Sequence, residues 1–216
     1  MSDTIVGIDY SLNGPGICVC DTPMGEFSFE NCILTYASVH PRWAGKEWLD
    51  GQIIGHAHFD SDTENMDRYI HLAHITCDAI SDLSAEHDKI HPAIEDYAFS
   101  QNGQLTTLGE NAGICKYRIL EEFGEYTKAY TPTTIKAFAR KHLPQERIDG
   151  KLIKMTKNEM HDAFMADTGV DLRAVFGVTC VLTKGGTVSC KNPIPDIVDA
   201  YWIAKYHHTQ LKKGKK

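Results

Sequence analysis

Four carboxylates stand at positions where a fold could bring them together: Asp9, Glu95, Asp196 and Asp199. Crowded carboxylates repel one another, so a site that contains four of them needs cations or arginines to keep them ionised. Hard oxygen ligands favour Mg²⁺, and Mn²⁺ can substitute for it. Two such ions, roughly 3.5–4 Å apart, can activate a water molecule and stabilise the leaving oxygen in phosphodiester cleavage. The four acids therefore suggest a nuclease that binds two metal ions.

Two of these acids end apolar runs that are typical of buried strands. Residues 4–10 and 90–99 are such runs, and Asp9 and Glu95 lie towards their carboxyl ends. Burying a carboxylate without a partner is costly, so each should either meet a cation or face a cleft. The alternative is that each acid only caps the turn after its strand. Asp96 should point to the opposite face from Glu95, because side chains alternate along a strand.

The other two acids open a predicted helix. Asp196 and Asp199 are three residues apart in a helix expected over 195–208, so they share one helical face. Taken alone, they fit a simpler interpretation, in which Asp196 caps the helix and Asp199 is a solvated acid of the first turn. Their combination with two acids at strand ends favours a shared site.

Length and composition favour one domain inside a cell. A chain of 216 residues can bury a substantial core in a single domain, 1–216. It has no run near the roughly 20 apolar residues of a membrane span and no N-terminal signal segment, which predicts no membrane partner. Seven cysteines without a Cys-x-x-Cys pair indicate reduced thiols. We therefore expect a soluble, intracellular protein.

The net charge of −7 conceals two halves of opposite sign. Residues 1–110 hold 4 Lys and Arg against 18 Asp and Glu, whereas residues 111–216 hold 18 against 11. The second half ends in a basic tail, 211–216, and contains a basic cluster made of Lys136, Arg140, Lys141, Arg147, Lys151, Lys154 and Lys157. Such a cluster can contact nucleic-acid phosphates, while the acidic surface discourages binding elsewhere. The alternative is a solvated helix face followed by a disordered tail.

The predicted elements form an α/β domain with a mixed sheet flanked by helices. Three strands with short connections predict an antiparallel start, over 4–10, 17–20 and 27–36. Strands at 90–99 and 126–130 then alternate with helices, which predicts parallel additions to the sheet. Helices are expected over 63–87, up to residue 123, and over 133–142, 157–168 and 195–208. Two segments are predicted as insertions: 37–62, which looks irregular, and 170–190.

The second insertion contains a predicted hairpin over 175–190, around Lys184-Gly185-Gly186. Cys180 and Cys190 would lie on its two arms, and with His207 or His208 they could ligate zinc. Their spacing matches no strong zinc pattern, so two ordinary thiols are the favoured interpretation.

The short motifs, taken in order, resemble the RuvC-like Holliday junction resolvases of the ribonuclease H-like superfamily. The matching segments are Gly7-Ile8-Asp9-x-Ser11 with Gly14 and Gly16, Ala93-Ile94-Glu95, Leu108 to Gly113, Thr131 to Lys136, Lys157 to Met160, and Asp196-x-x-Asp199-Ala200. Their order and spacing carry the resemblance over most of the chain outside the two insertions. Tyr10-Ser11 in place of the common Pro-Gly, the isoelectric point of about 5.8 and the insertions favour a viral or phage branch.

The resemblance implies a ribonuclease H-like fold and a magnesium-dependent endonuclease that nicks branched DNA as a homodimer. Cleavage would leave a 5′-phosphate and a 3′-hydroxyl, and the protein would work in the cytoplasm of a bacterial or phage-infected cell. By matched position, the metal ligands would be Asp9, Glu95, Asp196 and Asp199. Lys157 would support the scissile phosphate or the developing charge.

The same resemblance implies DNA contacts outside the carboxylates. Lys136 would contact the DNA backbone, and the basic cluster adds Arg140, Lys141 and Lys154 as candidate contacts. The family places a strand-separating aromatic residue just after the strand glutamate, where Tyr97 or Phe99 could stack on bases. Alternatively, Phe99 belongs to the core and Tyr97 to a strand face.

Three other functions fit parts of the sequence. The same fold could cleave the RNA strand of an RNA–DNA hybrid. An actin-like ATPase or sugar kinase also carries Gly-x-Asp on its first strand, but it needs two lobes, a longer chain and a further phosphate loop. A non-catalytic DNA-binding protein could keep the shape, although retention of all four acids argues against it.

Overall fold

The computed structural model describes residues 3–12, 14–22, 25–57, 64–84, 89–96, 105–144, 147–148, 151–152, 154–179 and 193–214. Within these residues the chain forms one seven-stranded sheet with helices on both faces. The strands are β1 (Asp3–Asp9), β2 (Gly16–Thr22), β3 (Cys32–Ser38), β4 (Lys46–Trp48), β5 (Ile53–Ala57), β6 (Lys89–Glu95) and β7 (Lys128–Tyr130). Their order across the sheet is β4-β5-β3-β2-β1-β6-β7.

Six helices and a small hairpin complete the described fold. The helices are α1 (Asn65–Leu83), α2 (Leu105–Phe123), α3 (Pro132–Ala139), α4 (Lys157–Thr168), α5 (Leu172–Phe176) and α6 (Ile194–Gly214). Short 3-10 turns cover Phe29–Asn31 and Arg140–His142, and β8 (Arg147–Ile148) pairs with β9 (Lys151–Leu152). Among the described helices, none is both long and apolar enough to span a bilayer.

The strand directions confirm the predicted mixed sheet. β1 to β3 are antiparallel neighbours, and β6 and β7 then add in parallel beyond β1. The run Ile5-Val6-Gly7-Ile8 is apolar throughout because β1 is covered on both faces. Ile5 faces the core that contains α6, whereas Val6 and Ile8 belong to the core under α1 and α2. The sheet thus separates two hydrophobic layers, and α6 lies between the sheet and the outer helices α3 and α4.

The expectation of an irregular segment at 37–62 is wrong in part, because β4 and β5 extend the sheet beyond β3. β5 pairs in parallel with β3, and β4 pairs antiparallel with β5. Aromatic packing holds this extension: Trp48 and Trp43 lie 4.6 and 5.7 Å from Phe176, measured between ring centroids. Strands of three and five residues give too short a sequence pattern to be recognised.

Two other predictions near the carboxyl end also need correction. Val175 and Phe176 belong to α5, not to a strand, because Asp171 caps that helix and Gly177 ends it with a positive φ of 60°. Of the rest of the predicted hairpin, residues 177–179 form no strand, and 180–190 lie outside the described residues. The basic tail is not wholly separate, since α6 continues through Lys212 and Lys213.

Two glycines allow α6 to lie directly on the sheet. A Cβ atom added to Gly7 would lie 2.2 Å from the carbonyl oxygen of Ala200. One added to Gly16 would lie 2.2 Å from the carbonyl oxygen of Asp196. No side chain fits in either space, so the glycines of β1 and β2 set the distance between the helix and the sheet. This contact carries the first turn of α6 to the end of β1 where Asp9 lies.

At the opposite end of β1, α6 buries a histidine that is held neutral. His207 is 6% exposed, and its Nδ1 lies 2.8 Å from the Tyr130 hydroxyl. Burial, together with repulsion from the nearby His91, Lys128 and His208, lowers the pKa of His207 to about 4. The neutral imidazole therefore belongs to the folded state.

Acidification is expected to destabilise the protein through His207. The unfolded chain takes up a proton at this residue near pH 6.5, whereas the folded chain does so only near pH 4. The free energy of unfolding should therefore fall as pH falls through this window, by up to about 3 kcal/mol from this group. Urea unfolding of the wild type and His207→Asn between pH 4 and 7 measures the effect. An equally steep pH dependence in the variant would contradict it.

Candidate active site

The parallel pairing of β1 and β6 brings Asp9 and Glu95 to neighbouring positions. Ile8 lies opposite Ile94, so the two acids follow as the next residues of adjacent strands. Asp9 shares the face of Gly7, against which α6 packs, and Glu95 shares the face of Ala93 in the same core. Both carboxylates therefore lie on the α6 side of the sheet.

Helix α6 adds the second pair of acids. Asp199 is 5% exposed, and Asp196 lies one turn earlier in the same helix, beside Gly16. Both acids raise the pKa of Asp9 by Coulombic repulsion, which places the three carboxylates in one electrostatic environment. The simpler interpretation of Asp199 as a solvated first-turn acid is wrong, because its side chain is buried.

Lys157 is the cation that meets this group. It is the first residue of α4, and its Nζ lies 2.7 Å from Oδ2 of Asp199. A capping box fixes the start of α4: the Thr156 side chain accepts from the Asn158 amide, and the Thr156 amide donates to the Glu159 carboxylate. The local sequence thus holds Lys157 at the helix end that faces α6.

The site holds more negative charge than its lysines offset. Burial raises the pKa of Asp9 well above its usual range, and repulsion from Asp199, Asp196 and Glu95 adds to this. Burial and Asp199 raise the pKa of Glu95 to about 7, although Lys157 and Lys136 oppose the shift. Burial alone would lower the pKa of Lys157, but Asp199 and Asp9 reverse that effect, so its ammonium stays charged.

The donor set suits a hard divalent cation in chemistry and charge. Four carboxylates supply only oxygen ligands, and the raised pKa values of Asp9 and Glu95 reflect burial together with mutual repulsion, both of which a bound cation would offset. As the described side chains stand, however, no three His, Cys, Asp or Glu groups converge closely enough to hold an ion. Asp199 is instead turned to Lys157. The acids therefore fit a metal by identity and position, and their side chains would have to turn towards it.

The structure describes some of the predicted DNA-contacting residues fully, others only as backbone, and two of them not at all. Lys136, on α3, is half-buried and close enough to Glu95 to lower the pKa of that residue. Arg140 is half-buried in the turn after α3, while Lys141 and Lys154 are exposed. Arg147 and Lys151 are described only as backbone of the β8–β9 hairpin. The aromatic candidates Tyr97 and Phe99 lie outside the described residues.

The zinc alternative finds no support among the described residues. Cys180 and Cys190 lie outside them. His207 is bonded to Tyr130, and His208 Nε2 donates to the Gly25 carbonyl oxygen at 3.1 Å.

Sequence reasoning assigned no role to Asn111, which fixes the turn after Asp9. Asn111 is fully buried on α2, and its Nδ2 donates to the carbonyl oxygen of Ser11 at 3.4 Å. The Ser11 hydroxyl in turn donates to the carbonyl oxygen of Gly14 at 2.6 Å. The burial of Asn111 could have been inferred from the sequence, because Asn111 lies next to Ala112 and one helical turn before Cys115, on the apolar face of the helix.

Two solved structures share the fold described above. RuvC of Thermus thermophilus superposes with a TM-score of 0.53 at 15% sequence identity, covering 98% of this chain and 96% of that chain. T. thermophilus RuvC in complex with a Holliday junction substrate also gives a TM-score of 0.53, at 14% identity and the same coverage. No family model and no curated protein sequence matches the chain. The chain therefore has the mixed-sheet, ribonuclease H-like α/β fold of RuvC.

Proposed function

We propose that this protein is a magnesium-dependent, structure-selective DNA endonuclease that resolves four-way and related branched junctions. The observation that carries the proposal is the meeting of Asp9 and Glu95, on neighbouring strands, with Asp199 of α6 and the lysine paired to it. The same fold in RuvC bound to a Holliday junction substrate supports the choice of substrate.

The carboxylates would hold the catalytic metal ions, and Mn²⁺ would substitute for Mg²⁺. The ligands would be Asp9, Glu95, Asp196 and Asp199. When bound, such ions supply an activated water and neutralise charge on the phosphate. The buried setting strengthens every charge interaction at this point, because little water screens it.

Lys157 would act directly on the substrate. Its ammonium is charged and lies at the open end of α4, with 35% of the side chain exposed. Its side chain is more exposed than that of its partner Asp199, at 7%, so a phosphate oxygen can reach the ammonium. Lys157 would therefore hold a scissile-phosphate oxygen and stabilise the negative charge that grows there during attack.

The basic cluster would hold the DNA backbone beside the site. Lys136 of α3 lies near Glu95, and Lys141 and Lys154 present exposed charges in the segment of chain that joins α3 to α4. Contacts of this kind position a duplex without reading its bases. Recognition would thus depend on the path of the strands at a branch point and on their deformation.

A competition between substrates tests the proposed class. We expect end-labelled four-way junction to be nicked in Mg²⁺, and excess unlabelled junction to suppress the reaction far more than linear duplex or RNA–DNA hybrid. Preferential cleavage of the hybrid would instead assign a ribonuclease. Binding without cleavage of any substrate would assign a non-catalytic DNA-binding protein.

Paired nicks on a junction require two sites, so we expect a homodimer. Sedimentation of the protein–junction complex at micromolar protein concentration should show two chains, each of 24.1 kDa, in addition to the mass of the DNA. A single copy on the junction would contradict this expectation.

A further inference from the structure

The sheet extension formed by β4 and β5 places a basic loop at the end of the strands where the carboxylates lie. We infer that this loop, residues 39–46 from the end of β3 to the first residue of β4, is a second phosphate-binding surface that holds a DNA arm on the side of the site away from β7 and α3. The inference rests on the proposed nuclease function and adds a binding surface to it.

The strand register places the loop. Paired residues form one row across the sheet, which runs Asp9, Gly16, Tyr36, Gly55 and Lys46. Side chains of paired residues point to the same face, so Lys46 lies on the α6 side, as Asp9 does. Four strand spacings separate the two residues, a distance of about 19 Å.

The loop is unusual in charge for its part of the chain. Residues 1–110 contain only four basic residues, and two of them, Arg42 and Lys46, lie in this loop. No acidic residue occurs between Glu30 and Glu47. Both basic residues are exposed. The rest of residues 1–110 is strongly acidic and would repel a polyanion, whereas a polyanion can approach this positive loop.

The loop is also held rigidly. Trp43 is 1% exposed, its carbonyl oxygen accepts from the Tyr36 hydroxyl at 2.9 Å, and its ring packs on Phe176. Gly55 leaves room for the backbone of Trp43, since a Cβ at residue 55 would lie 2.5 Å from that carbonyl oxygen. The Arg42 guanidinium lies 4.5 Å from the centre of the Trp43 ring and donates from Nη2 to Gly177 at 3.0 Å.

This arrangement prepares Arg42 for a phosphate. Its two internal contacts fix the guanidinium while the residue remains exposed, so other N–H donors can meet a ligand at little entropic cost. Over about 19 Å a duplex advances by about six base pairs, at roughly 3.4 Å per phosphate of one strand. The loop would thus contact an arm about six base pairs from the scissile phosphate.

Salt dependence of junction binding tests this contact. Fluorescence anisotropy with a labelled four-way junction, in EDTA to prevent cleavage, would compare the wild type with Arg42→Gln/Lys46→Gln. Loss of two phosphate contacts should reduce the slope of log K against log salt by about 2 and weaken binding at least tenfold near 0.1 M salt, as a rough estimate. Lys46→Gln alone, which breaks none of the loop's internal contacts, should reduce the slope by about 1.

The other two basic residues of the acidic half provide a charge-matched control. Arg68 lies on α1, across the sheet, and Lys89 begins β6 at the end remote from Asp9. Arg68→Gln/Lys89→Gln removes the same charge and should keep the slope of the wild type. Shortening the junction arms from about 15 to about 4 base pairs should weaken wild-type binding much more than that of the loop variant.

Equal slopes for the loop and control variants, with junction cleavage intact in the wild type, would overturn the inference and leave the proposed function standing. A wild type that neither binds nor cleaves branched DNA would overturn the proposed function, and the inference with it. A smaller slope in the loop variant alone, together with its insensitivity to arm length, is the result that we expect.

Discussion

Asp9→Asn is expected to reduce junction cleavage by about 10³-fold, because the substitution removes a carboxylate whose charge stabilisation amounts to several kcal/mol. DNA binding should persist, since the basic residues are unchanged. The measurement is single-turnover cleavage of labelled junction at saturating protein, alongside binding in EDTA. Asp78→Asn, on the exposed side of α1, is the matched control and should cleave as the wild type does.

Asp9→Asn should also be more stable than the wild type in EDTA at neutral pH. The pKa of Asp9 is raised in the folded state, so the folded protein favours the protonated acid and loses stability as pH rises above the usual range of an aspartate. Asparagine cannot ionise and avoids that loss. The gain should therefore be present at pH 8 and absent near pH 4. Loss of stability at pH 8 would show that Asp9 has a stabilising partner in the metal-free protein.

Gly16→Ala is expected to damage both stability and catalysis. The added methyl would lie 2.2 Å from the carbonyl oxygen of Asp196, so the first turn of α6 would have to move away from β2. Overpacking of this kind costs about 1–3 kcal/mol. A shift of about 1 Å in Asp196 and Asp199 would lower the cleavage rate by roughly 10²-fold. Urea unfolding and single-turnover cleavage measure the two effects.

Gly113→Ala provides the matched control for this change. Gly113 lies within α2, and a Cβ there would meet no atom within 4 Å. Alanine should therefore be neutral or stabilise the helix by about 0.5–1 kcal/mol. Normal cleavage by Gly16→Ala would contradict the view that this glycine sets the position of α6.

The sequence was sufficient to predict the central sheet and the acids it carries. The apolar run before Asp9 marked a buried strand, and the short connections between the first three strands marked their antiparallel order. The spacing of Asp196 and Asp199 marked a shared helical face. The exposure of Asp199 was harder to judge, because its burial depends on Gly7 and Gly16, which are remote in sequence.

Other features could not be predicted because they depend on contacts between distant segments. β4 has three residues and two of them are exposed, so it shows no recognisable strand pattern. It forms through β5, which Trp43 and Phe176 help to hold in place. The pairing of Lys157 with Asp199 spans 42 residues, and only the family resemblance suggested a place for Lys157 beside the carboxylates. The phage branch stays a prediction, because likeness of fold does not distinguish branches of a superfamily.

The central claim is that carboxylate-bound metal ions cleave branched DNA at this site. The most direct test is cleavage of end-labelled four-way junction by the wild type and Asp196→Asn, each in Mg²⁺ and in EDTA, with binding measured in parallel. We predict paired nicks at the branch point for the wild type in Mg²⁺ only, and their loss in Asp196→Asn while binding persists. Cleavage by the wild type in EDTA, or undiminished cleavage by Asp196→Asn, would contradict the claim.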